Sequence, residues 1–146
     1  MSLEFVNREP ELRELDAAAR RGGLVVVYGR RRVGKTRLLR HWLEARGGLY
    51  SQAIEAHADL QLQQVYEDLR AGLESEIVPK AWPELREILA RRKGPWLLCL
   101  DEFPYLTAVD ASLPSRLQRF IDHSLPARCV LILSGSSTGM MNDLFL

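Results

Sequence analysis

The chain has 146 residues, 47% of them hydrophobic and 27% charged, an ordinary balance for one soluble domain with its own core. Twenty basic residues against nineteen acidic ones leave a formal net charge of +1, which argues neither for nor against nucleic acid. No apolar run approaches the ~20 residues that span a bilayer. The stretch from Met1 to Arg13 is charged throughout and lacks a signal-peptide core.

The opening Phe5-Val6-Asn7-Arg8-Glu9-Pro10 leads into a short helix, with Asn7 as N-cap and Gly22-Gly23 as its stop. Leu24 to Tyr28 is an apolar, mostly β-branched run that reads as a buried strand. Directly after it comes Gly29-Arg30-Arg31-Arg32-Val33-Gly34-Lys35-Thr36, which fits the phosphate-loop pattern G-x-x-x-x-G-K-[ST] without substitution. The helix that follows, about Lys35 to Arg46, carries Leu38, Leu39, Trp42 and Leu43 on one face. A strand, a glycine loop and a helix in that order is the context the motif requires. Such a loop aims backbone N–H groups and the positive end of a helix dipole at an anion. The residues Gly29 to Arg37 are therefore the expected triphosphate cradle. Lys35 is expected at the β- and γ-phosphates, and the Thr36 hydroxyl on Mg²⁺. Arg30, Arg31 and Arg32 divide between the nucleotide and solvent. Only Lys35, Lys80 and Lys93 are lysines, so Lys35 stands out in an arginine-rich chain.

Leu49 to Ile54 shows the alternation of a partly exposed strand. From His57 to Leu73, Ala58, Leu62, Val65 and Leu69 recur at helical spacing, Pro79 interrupts, and a further helix begins near Pro83. Trp96 to Leu100 is a continuous apolar run, as expected of a strand covered on both faces, and it ends in Asp101-Glu102. A carboxylate at that end of a parallel strand shares a sheet edge with the phosphate loop. Asp101 is then placed to hold Mg²⁺ through its water shell and Glu102 to activate an attacking water. A last helix spans about Ser112 to Ser124. Cys129 to Leu133 forms the fourth strand and runs into Ser134-Gly135-Ser136, where Ser136, ahead of Ser134, is the candidate to touch the γ-phosphate or the water. Cys99 and Cys129 read as free buried thiols of a reducing cytoplasm. His41, His57 and His123 are scattered and show no metal-ligand spacing. Strands alternating with helices imply an α/β, three-layer architecture around a mainly parallel sheet, with residues 1–146 as one domain.

The combination of GRRRVGKT, the FVNREPEL opening, LCLDEFPYL and LILSGSS resembles the prokaryotic, archaeal-type ATPases of the AAA+/STAND assemblage. The resemblance covers essentially the whole chain. It implies ATP and Mg²⁺ as ligands, Arg8 near the adenine, and a sheet of order 5-1-4-3-2 counted from the strand before the phosphate loop. Relatives of this type continue into a fifth strand, an arginine-bearing segment, a lid and a C-terminal region. The expectation is therefore a core with strand 5 missing, slow ATP hydrolysis, and an exposed edge at Leu24–Tyr28 open to self-association or a partner protein. Nucleic acid would be reached only through the absent C-terminal regions. The alternatives are a non-hydrolysing, nucleotide-dependent binding module or a split-gene remnant, and more distantly a small-molecule phosphotransferase.

Overall fold

The three apolar runs and the alternating segment at Leu49 are strands in the structure, a computed structural model that describes residues 2–4, 8–28, 34–73, 75–92, 96–123 and 129–136. In chain order the elements are β1 (Ser2–Glu4), α1 (Arg8–Arg21), β2 (Gly23–Tyr28), α2 (Lys35–Glu44), β3 (Leu49–Gln52) and α3 (Ala58–Leu73). There follow α4 (Trp82–Arg91), β4 (Leu97–Asp101), α5 (Pro104–Val109), α6 (Leu113–His123) and β5 (Val130–Gly135). All five strands pair in parallel in the order β1-β2-β5-β4-β3. Parallel pairing requires a crossover between strands, and the helices supply it.

Side-chain alternation along the central strands explains the three layers. On one face Leu97 and Cys99 of β4 and Val130 and Ile132 of β5 pack with Leu15 of α1 and Leu39, Trp42 and Leu43 of α2. On the other face Leu98, Leu100, Leu131 and Leu133 pack against α3, α4, α5 and α6. Buried on both faces, β4 and β5 can be apolar at every position, whereas outer β3 alternates as its sequence implied. Trp42 Nε1 donates to Asp16 Oδ1 at 2.9 Å and the Arg46 guanidinium pairs with the same carboxylate, clipping α2 to α1.

Two elements depart from expectation. The short helix α5 follows the Asp-Glu turn, with Pro104 in its first turn where a missing N–H costs nothing. The larger correction concerns the edge of β2. It is not bare, because β1 pairs with it in the register Ser2↔Val26, Leu3↔Val27 and Glu4↔Tyr28. The chain's own N-terminal segment thus takes the outer position assigned to a strand 5, and Val25, Val26 and Val27 are all buried. Self-association or partner capture through an exposed β2 edge is withdrawn. The remaining order, β2-β5-β4-β3, is the expected 1-4-3-2.

Both cysteines are free and fully buried, as expected. Burial pushes both thiols up, and for Cys99 the neighbouring Asp101 adds to the effect. A buried thiol kept protonated is a poor nucleophile. The native protein should therefore resist alkylation by iodoacetamide at pH 8 and become reactive at both cysteines in urea, as counted by mass spectrometry.

Candidate active site

The site lies at the carboxyl edge of the sheet, where β2 feeds α2 and where β4 and β5 end. Gly34 takes a left-handed backbone (φ +76°) at the N-cap of α2, a conformation that glycine adopts without a Cβ penalty. No side chain caps this helix start. Lys35 and Thr36 then form its first turn. Gly29 to Val33 lie outside the described residues, as does the side chain of Arg8.

Asp101, the last residue of β4, is fully buried and accepts four hydrogen bonds. Thr36 Oγ1 (2.7 Å) and Tyr50 OH (2.6 Å) donate to Oδ2. Ser134 Oγ (2.7 Å) and the Glu102 backbone N–H (2.9 Å) donate to Oδ1. Lys35 Nζ lies 3.7 Å from Oδ1. Burial by itself would raise the Asp101 carboxyl. The bonds from Tyr50 and Thr36, the Lys35 charge and the Ser134 bond outweigh it and hold the group below its usual value. Burial, followed by the Asp101 carboxylate, pushes the Tyr50 phenol far up, so it stays protonated and donates.

Glu102 sits in a sharp turn with φ +53°, the one non-glycine residue in left-handed backbone among those described. Such a conformation costs energy and is held only where its surroundings enforce it. Here the Glu102 N–H is fixed to Asp101, and the Phe103 N–H donates to the Ser134 carbonyl at 2.9 Å. The turn directs Glu102 into a cavity of about 330 Å³ lined by Lys35, Thr36, Gln52, Glu102, Tyr105 and Ser136. Ser136 Oγ is 3.4 Å from Glu102 Oε2.

Lys35-Thr36, Glu102 and Ser136, from three separate parts of the sequence, thus meet on one cavity with Asp101 directly behind them. Ser134 does not reach it; its hydroxyl is buried between Asp101 and Cys99. Arg37 is exposed and lines, with Arg40 and His41, a neighbouring groove that reaches Gly34 and Thr36. Sequence reasoning missed Tyr50, Gln52 and Tyr105. For Gln52 the signal was available only through strand pairing, since it stands opposite Asp101 in the β3–β4 register.

Lys35 Nζ carries the clearest mark of a ligand. Its side chain is 2% exposed, yet the ammonium has no hydrogen-bond partner among the described residues. A buried ammonium without acceptors is costly. Beside it, the Thr36 oxygen and the Asp101 carboxylate are hard oxygen donors of the kind Mg²⁺ takes. The residues present therefore fit a magnesium-bound polyphosphate.

Fold and site together define a phosphate-loop α/β domain. A family model described as an ATPase domain predominantly from Archaea matches residues 5–145. The chain belongs to that family of ATPase domains. It is 30% identical over 142 residues to an uncharacterized protein of Methanocaldococcus jannaschii, covering 95% of this chain and 31% of that protein. A second protein of the same archaeon, an uncharacterized ATP-binding protein, is 48% identical over 42 residues, which are 27% of this chain and 71% of that one. Among solved structures, the Walker-type ATPase PABY2304 of Pyrococcus abyssi superposes with a TM-score of 0.71 at 23% identity, over 94% of this chain and 47% of that one. The Cdc6p protein of Pyrobaculum aerophilum gives 0.62 at 19% identity, over 95% and 41%. The ORC1 protein of Aeropyrum pernix, solved in complex with DNA, gives 0.56 at 24% identity, also over 95% and 41%. At these identities the structural matches establish the fold. The chain spans less than half the length of the first relative and of these three structures.

Proposed function

We propose that the chain binds Mg–ATP at Gly29–Thr36 and hydrolyses it to ADP and phosphate. The observation that carries this reading is the buried ammonium of Lys35, without a hydrogen-bond acceptor among the described residues, on the cavity shared with Thr36, Glu102 and Ser136. In this reading Lys35 binds the β- and γ-phosphate oxygens, while Thr36 and Asp101 hold the metal. Bound magnesium would neutralise developing charge on the phosphate oxygens. Glu102 accepts the proton of the attacking water, and Ser136, within reach of the same carboxylate, orients that water. The Gly29–Arg37 segment is assigned to the phosphates, with Arg30, Arg31 and Arg32 divided between nucleotide and solvent, and Arg8 is assigned to the base. The absence of an Asn-Lys-x-Asp guanine-reading tetrad in the sequence supports adenine over guanine.

No helix among the described residues is long and apolar enough to cross a membrane. Two free buried thiols accord with a reducing compartment, and we assign the cytoplasm on that basis. The DNA held by the Aeropyrum pernix ORC1 protein is not carried over to this chain, whose net charge is only +1.

The test is an equilibrium titration of wild type and Lys35→Ala with a fluorescent ATP analogue in MgCl₂. Hydrogen bonds to charged groups are worth about 1.5–3 kcal/mol, so the variant should bind about 10- to 100-fold more weakly. Equal affinity would overturn the reading. Phosphate release without an added acceptor separates hydrolysis from transfer to a small molecule.

A further inference from the structure

In the sequence Tyr50 is no more than a half-buried position in the alternating outer strand β3. In the structure it is the one residue of that strand whose side chain reaches the Asp101 carboxylate. Register explains how. Tyr50 pairs with Cys99, two residues before Asp101 on the same face of β4, and its ring packs on the α2 side of the sheet. From there the phenol reaches Oδ2 at 2.6 Å, the oxygen that also accepts from Thr36. The Arg40 guanidinium, one turn after Thr36 on α2, lies over the ring 5.1 Å from its centroid, a cation–π contact.

The four donors to Asp101 are not equivalent. Ser134 and the Glu102 N–H fix Oδ1 from the central strands. Among the described residues Oδ2 is fixed by Thr36 and Tyr50 alone, and Thr36 is itself a candidate metal ligand whose oxygen must serve a cation as well. Tyr50 is therefore the donor to Oδ2 whose geometry does not depend on the cation. Its ring is rigid, so its hydroxyl sets the rotation of the carboxylate about its own axis.

We propose that Tyr50 is a positioning residue for the metal site: its hydroxyl holds Asp101 Oδ2 in the orientation that a divalent cation beside Thr36 requires. This inference rests on the Mg–ATP reading. Groups that orient a metal ligand typically contribute about 10- to 100-fold to metal affinity. The effect should therefore appear in magnesium dependence and not in nucleotide contacts.

The experiment is a titration of nucleotide binding with MgCl₂ at fixed fluorescent ATP analogue, for wild type and Tyr50→Phe, with a parallel measurement in EDTA. Phenylalanine keeps the ring and its stacking on Arg40 and removes only the hydroxyl. The Mg²⁺ concentration for half-maximal enhancement of binding should rise about 10-fold, with affinity in EDTA unchanged. An unshifted Mg²⁺ midpoint overturns the proposal. An equal loss of affinity in EDTA also overturns it, because it assigns Tyr50 a purely structural part. Nucleotide binding by wild type with no Mg²⁺ dependence would instead sink the Mg–ATP reading, and this inference with it.

Discussion

Glu102→Gln is expected to slow ATP hydrolysis by about 10²–10⁴-fold, the usual contribution of a positioned general base, while ATP binding is retained. Three features support so specific a loss. Glu102 sits on the cavity beside Lys35 and Thr36, so its carboxylate can meet a water placed against bound phosphates. Its backbone is held in a left-handed turn by the bonds at Glu102 N and Phe103 N, so the side chain is aimed by the fold and not by its own rotamer preference alone. Ser136 Oγ lies 3.4 Å from Glu102 Oε2, on the same cavity. Glutamine keeps the shape and the polar contact but is no proton acceptor at neutral pH. Single-turnover phosphate release measures the rate, and titration with the fluorescent analogue measures binding. An unchanged rate would favour the non-hydrolysing, nucleotide-dependent module over the ATPase reading.

What was legible in the sequence follows a physical pattern. The Gly34-Lys35-Thr36 turn and the Asp101-Glu102 strand end could be read because each is local: a strand, a tight turn and a charged group adjacent in sequence. Long apolar runs placed β2, β4 and β5, since strands buried on both faces leave no room for polar interruption. Strand β1 was invisible because Ser2-Leu3-Glu4 has neither length nor pattern; pairing with β2 makes it a strand. Helix α5 is six residues long, less than two turns, and leaves no periodicity to detect. Tyr50 was missed for a different reason. Its partner is 51 residues away, and the contact exists only once β3 and β4 are placed in register. The left-handed backbone at Glu102 gave no warning either, because glutamate carries no signal for that conformation.

The same carboxylate that the metal reading needs also ties the fold together, and this sets the second large effect. Asp101→Ala should destabilise the ligand-free protein by about 3–5 kcal/mol, the usual cost of removing one partner from a buried ion pair. The substitution strips the acceptor from Thr36, Tyr50, Ser134 and the Glu102 N–H at once. It also takes from Lys35, which has no hydrogen-bond partner among the described residues, the carboxylate that lies 3.7 Å from its ammonium. Since single domains are stable by only about 5–15 kcal/mol, such a loss is a large share of the whole. Asp101→Asn should cost less. Its carbonyl oxygen still accepts, and the hydroxyls that face its NH₂ can rotate to accept in turn. Urea unfolding of wild type and both variants measures the order, with unchanged slopes required for the comparison. The consequence for function is direct: loss of ATP turnover in Asp101→Ala would report unfolding as much as metal binding, so Asp101→Asn is the variant that isolates the metal role. If Asp101→Ala unfolded within about 1 kcal/mol of wild type, a typical net value for one hydrogen bond, the buried network would not be a structural hub.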